Sequence, residues 1–162
     1  MDLKNKLISL LTENARYTLK QLSSMTGADE KTVEKAIKEM EDSGVIVKYS
    51  AIIDGEKLSD NIVQALIEVK VTPQKLRGFD AFAEQITSFD EVKSLYLMSG
   101  GFDIAIFIEA NTLAGVSRFV SEKLSTVEGV LSTATHFILK KYKIEGQPTV
   151  KNDGEGRQII HA

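Results

Sequence analysis

The sequence predicts an α+β protein in two parts. A helix-turn-helix (winged-helix-like) unit of three short helices comes first, and a ferredoxin-like βαββαβ sandwich follows. Three observations predict it. Apolar residues recur at helical spacing between residues 3 and 40. From residue 62 onward, β-branched runs alternate with helical ones. Between the two patterns lies GEKLSDN, residues 55–61, polar and rich in turn formers. The expected boundaries are 1–54 for the first domain, 55–61 for a linker, 62–145 for the second domain and 146–162 for a tail.

Leu3, Leu7, Leu10 and Leu11 share one face of a first helix that Asp2 can cap. Thr18 and Gln21 fit a capping box at the start of a second, in which each side chain satisfies the other residue's free amide. Leu19, Leu22 and Met25 are its expected inner face, and Gly27 its stop. Asp29 caps a third helix with Val33, Ala36, Ile37 and Met40 inside, closed by Ser43 and Gly44. VIVKYSAIID, residues 45–54, reads as a strand, either a wing or a hinge.

In the second half IVQALIEVKV is a strand, and Thr72 with Pro73 opens a helix lined by Leu76, Phe79, Phe82, Ala83 and Ile86. EVKSLYLMS and FDIAIFIEA are strands on either side of Gly100 and Gly101. A helix follows from about Leu113 to Ser125, and GVLSTATHFILKKYKI reads as one long strand. Leu95 to Met98 and Ile104 to Ile108 are apolar without alternation, so both sheet faces need cover. A second copy of the chain is the economical cover, which predicts a homodimer. In the tail, RQIIH is a candidate edge strand.

The chain has 162 residues, 20 basic and 23 acidic, for a formal net charge of −3. It has no cysteine, which excludes disulfides, thiolate nucleophiles and Cys-based zinc sites. No apolar run is long enough to span a bilayer, so the expectation is a cytoplasmic protein without membrane partners. On the third helix Lys31, Lys35 and Lys38 form a stripe opposite the core face, where a recognition helix meets a DNA groove. Thr32 lies near the helix start. Glu30, Glu34 and Glu41 fall along one margin, and Glu39 and Asp42 border the stripe. Glu34 and Lys38 stand four apart, the spacing of a solvated ion pair. Residues 1–50 hold eight basic and eight acidic side chains, a near-neutral head for a polyanionic partner.

Leu7, Leu11, Ala15, Arg16, Leu22, Gly27, Val33 and Ile37, followed by GVIVKYSAIID, LMSGGFD and GVLSTATHFIL, resemble the leucine-responsive regulator/AsnC (Lrp/AsnC) family over residues 1–145. That resemblance implies a transcriptional regulator that binds double-stranded DNA and responds to a small-molecule effector, commonly an amino acid. It implies homodimers, often assembled into octamers, with effectors at subunit interfaces; with His136 one of only two histidines, no metal site and no cofactor are expected. The DNA-facing candidates are Lys31, Thr32, Lys35, Lys38, Arg16, Lys48 and Tyr49. The effector candidates are Gly100, Gly101, Phe102, Asp103, Leu113, Thr133, Thr135 and His136, with Asp103 a counter-charge for an α-ammonium group. Two departures touch the head: the family usually has Arg at the positions of Ala36 and Glu39. At the effector site Ala134 replaces a frequent Arg, and His136 a usual aromatic.

Two other readings use the same parts. One is an amino-acid-binding co-regulator with weak or no DNA binding of its own. The other is an enzyme, since siroheme decarboxylases share the architecture. Such an enzyme needs basic and His residues gathered over a tetrapyrrole, whereas Arg16, Arg77, Arg118 and Arg157 are scattered and His161 is in the tail. The expectation is therefore no catalytic residues.

Overall fold

The computed structural model describes residues 2–58, 62–72 and 79–149. The chain divides into two compact units, Met1–Ile52 and Ile53–Ala162.

The first unit is three helices, α1 (Leu3–Glu13), α2 (Leu19–Thr26) and α3 (Glu30–Asp42). Each begins at the cap its sequence names. Asp2 accepts from the Leu3 amide, Thr18 and Gln21 form the reciprocal capping box, and Asp29 accepts from the Thr32 amide. Such caps contribute about 0.5–2 kcal/mol each. Gly44, at φ 73°, turns the chain out of α3 so that the Ile46 amide reaches back to the Met40 carbonyl. Leu7, Leu22, Val33, Ala36 and Met40 form the buried core. Met25, expected inside, stays half exposed on the last turn of α2.

Residues 45–54 form no strand. A strand is defined by a ladder partner, and among the described residues this segment has none. Val47 is 89% exposed, and Tyr49, Ile52 and Ile53 are about half exposed.

The second unit holds an antiparallel sheet of β1 (Val63–Val71), β2 (Val92–Leu97), β3 (Ile104–Ala110) and β4 (Val130–Phe137), in the order β2-β3-β1-β4. That is the ferredoxin-like order, with both helices packed on one face. α4 (Asp80–Thr87) inserts Phe82 and Ile86. Its expected start at Thr72 and Pro73, including Leu76, runs into residues outside those described. α5 (Leu113–Arg118) continues through a π-helical turn at Phe119–Lys123 and a 3-10 turn at Leu124–Thr126, where one regular helix was expected.

Register sorts the two faces. Ala65, Ile67 and Val69 face the helices beside Ile108, Ile106 and Ile104. Leu66, Phe107 and Tyr96 lie on the other face, where Tyr96 meets Phe107 edge-on with ring centroids 6.1 Å apart. Tyr96 remains 52% exposed, so this open face is partly apolar, as its unbroken hydrophobic run requires.

The long last strand is shorter than expected. β1 begins at Val63, so beyond the bond from the Ile138 amide to the Gln64 carbonyl only one β1 residue remains, too little to extend the ladder. The chain instead forms a small hairpin, β5 (Lys143–Ile144) against β6 (Gln147–Pro148). Glu145 and Gly146, at φ 45° and 82°, make its turn, the positive-φ pair that a two-residue hairpin favours. The candidate strand RQIIH lies outside the described residues.

Candidate functional site

α3 presents Lys31, Thr32, Lys35 and Lys38 to solvent, opposite the buried Val33, Ala36 and Met40. The surrounding acids are mostly engaged. Glu39 pairs with Lys4 of α1 at 2.8 Å, and that ammonium holds its carboxyl below the usual carboxylate range while Lys4 is held above its own. Asp42 takes Lys38 at 3.6 Å, so Lys38 turns forward to Asp42 and the Glu34–Lys38 pair suggested by spacing does not form. Glu41 accepts the Tyr49 hydroxyl at 2.9 Å. Burial and that hydrogen bond push the Tyr49 phenol up to about 12. Asp29 accepts the Thr32 hydroxyl at 2.6 Å, which commits Thr32 to the cap.

Among the described residues Lys31 and Lys35 have no carboxylate within ion-pair distance, and they are the two unneutralised cations of the stripe. Arg16 is exposed in the turn after α1, its amide donating to Asn14. Lys48 is exposed in the segment after α3. Lys4 is the contributor that sequence reasoning missed. No local spacing links it to Glu39, because the pair exists only once α1 packs on α3.

The effector candidates are divided by the sheet. Gly100 and Gly101 are exposed at the tip of the β2–β3 connection. Asp103 closes that connection and ties it to the sheet. Its amide donates to the Val69 carbonyl, its carbonyl accepts from the Met98 amide, and Oδ2 accepts from the Val71 amide at 2.9 Å. This is the site of the irregularity in the β1–β4 ladder, between Lys70 and Val71. Thr133 lies across β1 at Val69 and Thr135 at Ile67, on the helix-facing side. His136 pairs with Leu66 and so points to the open face, where its Nε2 lies 3.4 Å from Glu68. Leu113 follows the other end of β3, and is 59% exposed. Seven strand residues separate the ends, about 23 Å. One chain therefore sets Asp103 and Thr133 on opposite sides of β1 and leaves Leu113 and His136 apart from both.

A helix-turn-helix head with an exposed lysine stripe on its third helix, joined to a small sandwich with a glycine-rich loop, defines a DNA-binding regulator with a ligand-binding domain. Residues 2–47 match the winged helix-turn-helix DNA-binding family, and residues 64–148 match the Lrp/AsnC ligand binding domain. The chain belongs to the Lrp/AsnC family of transcriptional regulators. It is 43% identical to the HTH-type transcriptional regulator YugG of Bacillus subtilis over 158 residues, 97% of this chain and 95% of that one. It is 29% identical to the HTH-type transcriptional regulator FL11 of Pyrococcus furiosus, over 93% of this chain and 96% of that one. A solved transcriptional regulator of Neisseria meningitidis in complex with L-Met is similar at 26% identity, with a TM-score of 0.72, over 91% of this chain and 95% of that one. These relatives are named as regulators of transcription. Among the described residues no helix is long and apolar enough to cross a membrane, and no group of three His, Cys, Asp or Glu could hold a metal ion.

Proposed function

We propose that this chain is a homodimeric regulator that reads DNA through Lys31 and Lys35 of α3 and answers to an amino acid held beside Asp103. The observation that carries the DNA half is the neutralisation pattern on α3. Glu39, Glu41 and Asp42 are each engaged, while Lys31 and Lys35 project from the face opposite the core. Exposed Lys38, Arg16, Lys48 and Tyr49 are further candidates on this reading, and Thr32 contributes through its cap.

Three features support the dimer and an effector site closed by more than one copy. The open sheet face carries Tyr96, Phe107 and Leu66. Residues 45–54 are apolar and have no ladder partner among the described residues. The effector candidates Asp103, Leu113 and His136 are not gathered by one chain. The Asp103 carboxylate gives one oxygen to Val71, and its other oxygen suits an α-ammonium group. The complex of the Neisseria relative with L-Met supports an amino acid as the ligand class.

Fluorescence anisotropy of the chain's own upstream DNA against a scrambled duplex, over a salt series, tests the reading. Specific binding should weaken with salt, and Lys31→Ala/Lys35→Ala should lower the salt slope by roughly two units for each head engaged. No binding above the scrambled control at low salt would leave the co-regulator reading in its place.

A further inference from the structure

Glu39 continues the row of the two unneutralised cations of α3. Lys31, Lys35 and Glu39 follow one another at intervals of four residues, the spacing that stacks side chains along one side of a helix. Successive members are about 6 Å apart along the axis. That is inside the screening length of physiological salt, about 8 Å, so an acid in this row acts on Lys35 and on any phosphate that Lys35 meets. Lys4 and, more weakly, Lys35 hold the Glu39 carboxyl below the usual carboxylate range, so both ammonium groups act on the one carboxylate.

Two cations thus compete for Glu39, and the structure shows which one holds it. The Lys4 ammonium, brought across from α1, lies 2.8 Å from Oε2. Lys35, one turn away on the same helix, makes no ion pair among the described residues. Helix geometry favours that outcome, because a pair four residues apart is weaker when the base comes first, as it does from Lys35 to Glu39.

Both side chains of the Lys4–Glu39 pair are about half exposed, and ion pairs of that kind add little to stability. The consequence of the pair therefore lies in the charge that α3 presents. With Lys4 in place, the charges of Lys31 and Lys35 stand unopposed. Without it, Glu39 either captures Lys35 or stands bare beside the phosphates, and the row loses one net positive charge. We infer that Lys4 is a positioning residue for DNA binding: by holding the Glu39 carboxylate it keeps Lys35 available to phosphate. This inference rests on the DNA reading of α3 and names the residue that controls the charge of that face.

Fluorescence anisotropy of the full chain on its own upstream duplex, over a salt series, tests it. Lys4→Met keeps the side-chain stem and removes the charge. It should weaken binding roughly fivefold or more and lower the salt slope by roughly one unit for each head engaged. Its melting temperature should stay close to that of the unmutated chain. Adding Glu39→Gln to Lys4→Met should return both affinity and slope to the unmutated values, because no carboxylate then remains to oppose Lys35. A double variant as weak as Lys4→Met would mean that Lys4 meets phosphate itself or only fastens α1 to α3, and would overturn the inference. An unmutated chain that binds its own duplex no better than a scrambled one at low salt removes the DNA reading and this inference with it. Specific binding that Lys4→Met leaves unchanged removes the inference alone.

Discussion

Replacing Asp103 with alanine removes the acceptor for the Val71 amide at the point where the β1–β4 ladder is irregular. Val71 is only 5% exposed, so water replaces the lost carboxylate poorly. Leaving a buried donor unsatisfied costs about 1–3 kcal/mol. Because the lost bond is to a charged acceptor, the upper part of that range is the reasoned value. For a unit near 100 residues, about 2 kcal/mol lowers the melting temperature by roughly 8–16 °C. Asp103→Asn keeps an oxygen in place and should lose less than half as much. Two readouts separate the roles of this side chain. Hydrogen exchange at the Val71 amide should accelerate strongly in the alanine variant and little in the asparagine variant. Amino-acid binding, which uses the charge, should fail in both. An alanine variant with unchanged melting and unchanged Val71 protection would refute the structural argument. Loss of stability with intact amino-acid binding would instead refute the effector role.

Lys4→Met should return the Glu39 carboxyl group toward its ordinary value of 4.5, read by side-chain NMR titration. Glu39 is depressed, so its contribution is present above that ordinary value and is lost as pH falls through the lower folded one. Lys4 is raised, so its contribution is present below its ordinary value and is lost as pH rises past the folded one. The tie between α1 and α3 therefore holds throughout the neutral range. Tyr49, raised to about 12, contributes stability below the ordinary phenol value near 10 and loses it toward 12; Tyr49→Phe should delete the latest phase of an alkaline absorbance titration. Gly146→Ala places a side chain at φ 82° and should cost about 1 kcal/mol, seen as loss of the β5–β6 cross-strand contacts by NMR.

What the sequence made legible was local. The caps at Asp2, Thr18 and Asp29 and the stop at Gly44 are decided within four residues, and each stands where its spacing put it. The βαββαβ order was legible for the same reason, since period and turn chemistry are carried within each element. Non-local facts were hidden. The end of β4 at Phe137 depends on where β1 begins, and no pattern in GVLSTATHFILKKYKI records that. Residues 45–54 have strand composition, but composition supplies no hydrogen-bond partner. At the candidate sites, Lys31 and Lys35 could be placed by helical angle alone. The separation of His136 from Thr133 and Thr135 follows from alternation along β4, so this much was available in principle. The Lys4–Glu39 pair was not, because it joins elements remote in sequence.

The acidic composition of α3 is compatible with a DNA face because charge has to be weighed by position. Of six acids between Asp29 and Asp42, Asp29 is spent on the cap, Glu39 on Lys4, Glu41 on Tyr49 and Asp42 on Lys38. Glu30 and Glu34 remain, on the margin. A helix with its side chains is about 10–12 Å across, and the screening length in physiological salt is about 8 Å, so marginal charges are attenuated at the groove-facing side. The same accounting removes Lys38 from the cations, which leaves Lys31 and Lys35 as the unneutralised pair of the stripe. So few phosphate contacts per head give weak, salt-sensitive binding. Two heads on one duplex convert the second contact into an intramolecular one, which raises overall affinity by roughly 10²–10⁴ without any new contact. On the proposed homodimeric reading, assembly is the main determinant of DNA occupancy. On the same proposed reading, an effector bound between copies needs no direct path to α3, because any change in how the copies associate alters how many heads a duplex can engage.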